Sequence, residues 1–502
     1  MSTTASSLTN SAPSCFGARR NRTALVVSFF LFLNFVYFLF SSGRVRTIDE
    51  VSAAYQVESL AKHGTTAIPQ AVEANEFYGT FDRFGRAQSP YPPGQAFALL
   101  PWYAVGQFVG RHLPDVPLAL RDVFSDFFLT GESAFFSAFA AALSLYIFLQ
   151  FGIAPKISML AAGILAFATP LAAYSGWLYS EPLSAALLIA AAAVLFSTAA
   201  QTENVSALGG LGAGVLLGAA LWVRPTHVIA VPVFLAALFV RERKKGWGPA
   251  ITLAAAVGVS VALLLWRNAY LHGSFWNFGY PAAAEGGKAL NTFETPLATG
   301  LVGFLASPGK SIFLFSPPIL LAFLGLPRLW RRDRGLAVVA AATPLVYLLF
   351  FATYTQWEGG YCYGPRYLIP ALALIELGVG PALEAASSKT RLLALAVFAA
   401  GLFVQAIGSA TSFLEADIAG GYYNAQYNYR MSFSPIVMQL HLLAHYATSA
   451  AAPIGRGFDK WWVFLSKAGV STSALALIAG ALLVGIVASG RALRRAYSTT
   501  AT

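Results

Sequence analysis

The residues most able to do chemistry are carboxylates placed next to apolar segments. Asp49 and Glu50 follow the first apolar run and open a stretch with helical spacing, and Glu181 follows an aromatic turn directly before Pro182. A carboxylate in the first turn of a helix stabilises that helix, which is one interpretation of all three residues. The other interpretation of Asp49 and Glu50 is a general base, which takes a proton from a reacting hydroxyl.

The most distinctive string of the sequence is WEGGYCYGPRY, which runs from Trp357 to Tyr367. Its glycines let the backbone approach a ligand closely, and its four aromatic rings and one guanidinium suit a phosphate with a sugar stacked nearby. Arg224 is a lone arginine at the end of an apolar run, so we expect it to pair with Glu181 or a lipid headgroup. The candidate donor-binding residues are cationic or aromatic: Arg83, Arg86, Tyr91, Arg224, Lys310, Trp357, Tyr363 and Arg366.

Two further features have alternative interpretations. Glu376 falls inside an apolar run, where a carboxylate is either functional or protonated and hydrogen-bonded to a neighbouring helix. His441 and His445 have the spacing of two zinc ligands on one helix face, but no third ligand is evident. The sequence therefore predicts no metal site. The segment around Lys310 also lacks the spacing of a phosphate-binding P-loop.

The composition indicates which class of protein positions these residues. The chain has 502 residues, of which 57% are hydrophobic and only 11% are charged. Soluble proteins carry about 25% charged residues, so this chain cannot cover a water-facing surface. A soluble enzyme, a disordered chain and a nucleic-acid-binding protein are thereby excluded, and an all-α polytopic membrane protein is predicted. The net charge of +11 then reflects topology, because cytoplasmic loops collect Lys and Arg.

The apolar runs predict about 12 membrane-spanning helices, since each is close to the roughly 20 residues that a bilayer requires. The first run, 24–42, follows basic residues and is not followed by a cleavage site. It is interpreted as an uncleaved span with a cytoplasmic N-terminus. The others lie near 123–150, 157–174, 182–200, 206–223, 226–240, 249–267, 311–326, 336–353, 367–385, 391–411 and 471–490.

One more apolar segment, 94–110, is predicted to lie flat on the outer surface. If it crossed the membrane, the basic clusters 241–245, 331–334 and 491–495 would all lie outside, against the positive-inside rule. Pro101 also weakens a spanning helix. With this segment outside, both termini are cytoplasmic, and the long segments 43–122, 268–310 and 412–470 face the outer side.

This topology divides the chain into four parts. Residues 1–23 are a cytoplasmic tail, and 24–411 are a transmembrane core that includes the first outer loop, 43–122. Residues 412–470 form another outer loop, and 471–502 are the last transmembrane helix and a cytoplasmic tail. The cytoplasmic loops are too short for a catalytic domain, so we expect any chemistry at the extracytoplasmic face.

At these residues the sequence resembles the GT-C superfamily of integral-membrane glycosyltransferases. Asp49-Glu50 resembles the acidic motif of that superfamily, and Pro92-Pro93-Gly94 is similar to the Pro-Pro motif of its family 39-like branch. That branch includes the protein O-mannosyltransferases and the aminoarabinose transferases, and Glu181 resembles its second acidic position. The segments around three cations look like those of bacterial members of the group: Arg224, Lys310 and Arg366.

The resemblance implies an inverting glycosyltransferase of the inner membrane. The donor would be a sugar on a polyprenyl phosphate, and the acceptor an extracytoplasmic lipid, glycan or protein. Asp49 would deprotonate the acceptor, and Arg366 with its neighbours would bind the leaving phosphate, so no cofactor is required. Where the aminoarabinose branch has a Lys before its Pro-Pro, this chain has Tyr91. Phosphate binding would then fall to other cations, such as Arg83, Arg86, Lys310 or Arg366.

Two other functions are compatible with the same features. A transporter or flippase of lipid-linked sugars would line a path with these charges. Against it, the sequence has no pattern of paired broken helices, and its polar residues gather on one face of the membrane. A polymerase or ligase of lipid-linked glycans would share the donor and differ in the acceptor.

Overall fold

The computed structural model is built almost entirely of helices. It describes residues 15–113, 121–197, 204–280, 284–285, 288–289, 292–419, 425–448 and 458–501. Parts of the predicted tail 1–23 and of the predicted loop 412–470 therefore lie outside the described residues. The α-helices are Cys15–Leu39, Ile48–His63, Pro69–Glu73, Gly94–His112, Arg121–Gln150, Pro155–Ala168, Pro170–Tyr174, Glu181–Ala192, Ala207–Val223, Ala230–Glu242, Trp247–His272, Leu297–Ala306, Ile312–Phe315, Ile319–Arg332, Arg334–Ala352, Ile369–Ile375, Val379–Glu384, Ser388–Ala410, Phe413–Ala419, Pro435–Thr448, Trp461–Lys467 and Thr472–Ala501.

Shorter elements connect these helices. The 3-10 turns are Pro225–Ile229, Arg243–Gly246, Arg366–Leu368, Glu376–Gly378, Ala425–Tyr429 and Met431–Phe433, and a π turn spans Ala193–Ser197. The strands of the described part of the chain form two antiparallel hairpins. Thr80–Phe81 pairs with Ala87–Gln88, and Ala284–Glu285 pairs with Lys288–Ala289.

Seven helical segments of the described chain are long and apolar enough to cross a membrane. They are Arg20–Leu39, Val123–Gln150, Pro225–His272, Arg334–Ala352, Arg366–Glu384, Ser388–Ala410 and Thr472–Thr500. One of them, Pro225–His272, holds the predicted spans 226–240 and 249–267, which meet at the turn Arg243–Gly246. The all-α, polytopic membrane class predicted from composition is confirmed.

Some predicted spans are shorter or divided in the structure. The runs near 157–174, 182–200 and 206–223 form apolar helices of 10–17 residues. The run 311–326 is divided between Ile312–Phe315 and Ile319–Arg332, because a proline pair at 317–318 supplies no backbone N–H to continue the first helix. A helix of about 14 residues rises only about 21 Å, less than the hydrocarbon core of roughly 30 Å.

The segment 94–110 forms the single helix Gly94–His112, with Pro101 inside it. This helix is not among the seven segments that are apolar enough to cross. It packs on the long helix Arg121–Gln150 and on Ile48–His63 through its buried face, which includes Ala96 and Leu99. The partners on Ile48–His63 include Ala53 and Val57, so this packing positions the helix that begins with Asp49 in its first turn.

The two ends of the helix bundle carry different side chains. Arg22 donates to the carbonyl of Leu149 (3.2 Å), and Arg332 donates to the carbonyl of Phe151 (3.1 Å) and pairs with Glu384. These contacts bring the N-terminal basic residues and the cluster 331–334 to one end of the bundle. The cluster 241–245 reaches the same end, because Arg241 pairs with Asp333 at 2.8 Å. Asp49 follows the other end of the first helix, Cys15–Leu39.

The first helix and the last helix, Thr472–Ala501, pack antiparallel. Asn21 donates to the carbonyl of Thr499 (3.0 Å), and Phe32 lies beside Gly490. The first helix packs on Arg121–Gln150, and both helices contribute buried residues to one apolar cluster, which includes Leu25 and Leu482. The last helix therefore ends at the end of the bundle that lies opposite Asp49.

Candidate active site

Asp49 lies in the first turn of the helix Ile48–His63, and its neighbour Glu50 holds that turn in place. The Glu50 carboxylate accepts hydrogen bonds from the backbone N–H groups of Arg46 (2.8 Å), Thr47 (2.9 Å) and Leu178 (3.1 Å). Glu50 is fully buried. Successive side chains of a helix diverge by about 100°, so Glu50 points away from Asp49 and lies outside the cluster that Asp49 forms.

Asp49 contacts a hydroxyl and two guanidinium groups. Its Oδ1 accepts a hydrogen bond from the Tyr91 hydroxyl, and its Oδ2 pairs with Nη2 of Arg366. Nη2 of Arg224 lies 3.7 Å from the same Oδ2. Both carboxylate oxygens are thus occupied, although 16% of the side chain remains exposed.

Glu181 is the second carboxylate of this cluster. It begins the helix Glu181–Ala192, with Pro182 behind it in the first turn. Its Oε1 lies 2.7 Å from Nε of Arg366 and 3.4 Å from Nη2 of Arg224. Its Oε2 is buried and has no hydrogen-bond partner among the described residues. Glu181 is therefore the partner of Arg224 that the sequence suggested, and it also orients Arg366.

The two arginines stand between the two carboxylates. Arg366 is 5% exposed, and its Cζ lies 4.3 Å from the centre of the Tyr179 ring. Arg224 is 17% exposed and donates from Nε to the Ser180 hydroxyl at 2.7 Å. The cluster holds two positive and two negative groups, so it is electrically balanced as it stands.

A pocket opens onto this cluster. Its lining combines the charged groups with amides, hydroxyls and a few apolar side chains: Asp49, Ala53, Gln56, Tyr91, Pro92, Gln95, Leu178, Tyr179, Ser180, Val223, Arg224 and Arg366. The residues come from five separate parts of the chain. A carboxylate and two guanidiniums that face one pocket can bind an anion and accept a proton at the same place.

The charges of the cluster change the titration of its acid groups. Burial alone would raise the pKa of Asp49, but the guanidiniums of Arg366 and Arg224, with the Tyr91 hydroxyl, hold that pKa below its usual range. Burial and the nearby Asp49 carboxylate raise the pKa of Tyr91 well above that of a free tyrosine. At neutral pH Asp49 is therefore ionised and Tyr91 remains a hydrogen-bond donor.

The glycine-rich loop before Arg366 requires glycine at several positions. Gly359, Gly360 and Gly364 have φ values of 86°, 68° and 67°, which other residues rarely adopt. A Cβ on Gly364 would lie 2.7 Å from the Phe315 ring. The carbonyl of Gly359 accepts a hydrogen bond from Nη1 of Arg366 at 3.4 Å, so the loop contacts the guanidinium that it presents.

Three buried donors fix the middle of this loop. The carbonyl oxygens of residues 361–363 accept, in order, from the Tyr179 hydroxyl (2.8 Å), Nζ of Lys310 (3.0 Å) and the Tyr174 hydroxyl (2.9 Å). Lys310 is buried and also contacts the sulfur of Cys362 at 3.2 Å. The structure therefore places Lys310 behind the loop and outside the pocket lining, where it positions the loop that carries Arg366.

Two aromatic residues predicted to contact the donor are also turned inward. Trp357 is buried and stacks edge-on against Phe304, with 5.3 Å between ring centres. Tyr363 is fully buried and donates from its hydroxyl to the carbonyl of Val404 at 2.6 Å. Neither side chain is in the pocket lining, because both complete the packing beneath the loop.

Arg83 and Arg86 lie on the hairpin Thr80–Phe81 and Ala87–Gln88, apart from the Asp49 cluster. Arg86 pairs with Asp82 at 2.9 Å and is 44% exposed. Arg83 donates its backbone N–H to the carbonyl of Leu271, and its guanidinium lies over Tyr270 (5.1 Å). The short hairpin turns both side chains outward, so neither joins Asp49 in the pocket.

The sequence did not single out several residues that line the pocket. Gln56 lies two turns after Asp49 on the same face of its helix and donates to the carbonyl of Tyr91 at 3.0 Å. Helical spacing from Asp49 was the signal that would have found it. Tyr179 and Ser180 directly precede Glu181, and their role follows from how that turn folds back onto the arginines.

The remaining candidates lie elsewhere. Glu376 is buried in the helix bundle and accepts a hydrogen bond from the Ser316 hydroxyl at 3.1 Å. His441 and His445 are exposed on the helix Pro435–Thr448. Among the described residues there is no group of three or more His, Cys, Asp and Glu side chains placed to hold a metal ion.

Comparisons with known proteins find similarity at the level of structure. No protein-family model and no curated protein matches the chain. ArnT from Cupriavidus metallidurans in the apo state aligns with a TM-score of 0.50 and 13% identity, over 95% of this chain and 76% of that one. ArnT bound to undecaprenyl phosphate gives a TM-score of 0.49 at 14% identity, with the same coverage.

An archaeal oligosaccharyltransferase, AglB from Archaeoglobus fulgidus in complex with an inhibitory peptide and a dolichol-phosphate, is more distant. It aligns with a TM-score of 0.45 and 14% identity, over 82% of this chain and 57% of that one. At identities this low a structural match reports the fold. The chain has the fold of the GT-C superfamily, as its sequence motifs predicted.

Proposed function

We propose that this protein is a glycosyltransferase that moves a sugar from a polyprenyl-phosphate donor to an acceptor hydroxyl. The observation that carries the proposal is that Asp49 and the guanidiniums of Arg366 and Arg224 meet in one pocket. A transfer from a sugar phosphate needs a base for the acceptor and positive charge for the leaving group, and this pocket supplies both. The GT-C fold, and the undecaprenyl phosphate bound by ArnT, support the choice of donor.

The donor phosphate would bind by replacing the carboxylates as the acceptor of hydrogen bonds from the guanidiniums. In the free protein Arg366 and Arg224 contact Asp49 and Glu181. A phosphate has the geometry to accept from the same planar groups, so it competes with Asp49 for them. Once Arg366 turns to the phosphate, an Asp49 oxygen becomes free and the pKa of Asp49 rises toward its ordinary range, which strengthens the base.

The transfer itself exchanges one bond for another. Asp49 takes the proton of the acceptor hydroxyl, whose oxygen forms a bond to the anomeric carbon. The bond from that carbon to the phosphate oxygen breaks, and its electron pair leaves with the polyprenyl phosphate. Attack opposite the phosphate inverts the anomeric configuration. Arg366 and Arg224 stabilise the charge on the leaving phosphate, so the mechanism includes no cofactor.

The location of this reaction follows from charge. The basic clusters lie at the end of the bundle opposite Asp49, and cytoplasmic ends of membrane proteins collect such residues. We therefore place both termini in the cytoplasm and the pocket at the extracytoplasmic face of the inner membrane. The acceptor would be a lipid, glycan or protein on that side.

The test measures release of polyprenyl phosphate from a panel of polyprenyl-phosphate-linked hexoses and pentoses, with solubilised cell envelope as the source of acceptor. Asp49→Asn keeps the shape of the side chain and removes its basicity. We expect turnover to fall about 10²–10⁴-fold, the usual contribution of a general base. Glu50→Gln is the comparison: Glu50 lies outside the pocket but holds the turn that carries Asp49, so we expect a smaller loss of turnover, through orientation of Asp49.

Donor binding is measured separately with undecaprenyl phosphate. Arg366→Ala should weaken its binding, and Arg366→Lys should restore binding only in part, since a point charge replaces a planar fork. A transporter would show flux of the lipid-linked sugar and no transfer in the wild-type protein. That result, or wild-type turnover in Asp49→Asn, would refute the proposal.

A further inference from the structure

The last helix carries a basic stripe at its C-terminal end. Five exposed side chains recur three or four residues apart, so they share one helix face, and together they line an open pocket. They are Arg491, Arg494, Arg495, Ser498 and Thr499. This pocket has no part in the mechanism above, because it lies at the end of the bundle opposite Asp49.

The position of the stripe along the helix matches the depth of a lipid headgroup. The last helix begins at Thr472 near the end of the bundle where Asp49 lies, since Trp461, shortly before it, donates to the carbonyl of Ser41 at 3.1 Å. From Thr472 to Arg491 the helix rises about 28 Å, close to the roughly 30 Å of a hydrocarbon core. Arg491 therefore stands where the hydrocarbon ends.

The same helix face is apolar just before the arginines. Val484 and Val487 lie two turns and one turn before Arg491, and they are 68% and 51% exposed. An amphiphile on this face would lay its acyl chain along the valines and its headgroup beside the arginines. The apolar residues thus lie toward the middle of the membrane and the arginines toward its surface, which is how the acyl chain and the headgroup of a phospholipid are arranged.

The arginines of the stripe form no ion pair with the described residues. The ion pairs of the described residues at this end involve other arginines, such as Arg241 with Asp333 and Arg332 with Glu384. The nearest part of the first helix adds Arg20 and Arg22, which are also exposed. The fourteen residues that precede Cys15 contain no Asp or Glu. Guanidiniums without a carboxylate partner among the described residues favour a phosphate ligand.

We propose that the guanidiniums of this stripe bind the phosphate of an anionic phospholipid, while the hydroxyls of Ser498 and Thr499 donate to the helix carbonyls of Arg494 and Ala496. Clusters of Lys and Arg at the end of a transmembrane helix attract anionic lipid headgroups. The bound lipid would bridge the end of the last helix and the start of the first helix, which are joined there by the bond from Asn21 to Thr499.

The experiment compares lipid binding by two charge-matched variants of the full chain in neutral nanodiscs. The first variant is R491Q/R494Q/R495Q. The control is R243Q/K244Q/K245Q, which removes three exposed positive charges at the same end, from the turn Arg243–Gly246. Binding of phosphatidylglycerol and phosphatidylcholine is measured by native mass spectrometry, and thermal unfolding checks that each variant is folded.

Each basic residue that contacts an anionic headgroup strengthens its binding about fivefold, so the stripe variant should bind phosphatidylglycerol on the order of a hundredfold more weakly. The control residues lie outside this pocket. The control variant should bind phosphatidylglycerol almost as tightly as the wild type, and phosphatidylcholine binding should not change in either variant. The single variant R494Q should bind phosphatidylglycerol about fivefold more weakly, and it replaces the triple variant in the test if the triple variant does not fold. Equal losses in both triple variants would mean general surface charge and overturn the proposal. Displacement of the lipid by millimolar inorganic phosphate would also overturn it, because the ligand would then be free phosphate.

Discussion

Removal of the Arg366 charge should destabilise the protein, and removal of the Glu181 charge in the same molecule should restore much of the loss. Arg366 is 5% exposed and contacts both Asp49 and Glu181. Arg366→Gln leaves those two carboxylates with Arg224 alone, 3.4 Å from Glu181 and 3.7 Å from Asp49. One buried negative charge is then uncompensated.

The size of the effect follows from burial. Loss of one partner from a buried ion pair typically costs about 3–5 kcal/mol, because the remaining charge stays out of water. The double variant R366Q/E181Q keeps a balanced pair, Asp49 with Arg224. Groups in one network commonly couple by about 0.5–3 kcal/mol, and we expect the upper part of that range for Arg366 and Glu181.

The assay is the free energy of unfolding in mixed detergent micelles, measured for the wild type, both single variants and the double variant. The control is Arg86→Gln, whose ion pair with Asp82 is 44% exposed on the arginine side. Exposed pairs contribute about 0–1 kcal/mol. The reasoning is refuted if Arg366→Gln costs no more than Arg86→Gln, or if the effects of R366Q and E181Q simply add.

Four further predictions use single residues. Glu50→Ala leaves three backbone N–H groups without an acceptor, two of them in buried hydrogen bonds, and should lower the unfolding free energy by about 3 kcal/mol, measured in the same assay. Burial raises the pKa of Glu358 to about 7, from about 4.3 in an unfolded chain. Between these two pKa values the folded state binds more protons than the unfolded state, so the protein loses stability as pH rises through them. Glu358→Gln should therefore raise the unfolding free energy by about 3 kcal/mol at pH 9 and change it little at pH 4. Unfolding measured across this pH range checks the prediction. Arginine contacts hold the pKa of Asp49 below its usual range, so its contribution to stability is present above pH ~4 and lost as pH falls further. On acidification to pH 3 the unfolding free energy should therefore fall more in the wild type than in Asp49→Asn. Equal falls in the two proteins would contradict this. Arg111→Cys should react with an impermeant thiol reagent from outside the cell, and reaction only after the inner face is opened would contradict the topology.

Local sequence was sufficient for the helix that carries Asp49. The acidic pair after the first apolar run predicted a helix start, and the structure begins the helix Ile48–His63 there. The roughly 100° between neighbouring side chains also predicted that Asp49 and Glu50 would diverge. Which of the two faces a pocket depended on Leu178, Tyr91 and Arg366, and none of these is near in sequence.

The other cations show the limit of residue type as a guide. Lys310, Arg83 and Arg366 were all candidate ligands of a phosphate in the sequence, and Arg366 was favoured because a glycine-rich aromatic loop precedes it. In the structure Lys310 is buried against the carbonyl of Cys362, and Arg83 lies over Tyr270, while Arg366 alone of the three reaches Asp49. A local pattern indicates that a loop contains a cationic residue, but the fold of the loop decides which way the side chain of that residue points.

The sequence by itself determined that the chain is a membrane protein, because 11% charged residues over 502 positions cannot cover a surface in water. It also indicated the starts of the helices that carry Asp49 and Glu181, and the close backbone turns at the glycines before Arg366, since capping and φ preference act within a few residues. Only the tertiary structure decided that Asp49 and Arg366, 317 residues apart, would share an ion pair with Glu181 and Arg224. Such pairing depends on how separate helices rotate and pack against one another, and packing depends on side-chain shape across the whole bundle rather than on any local pattern.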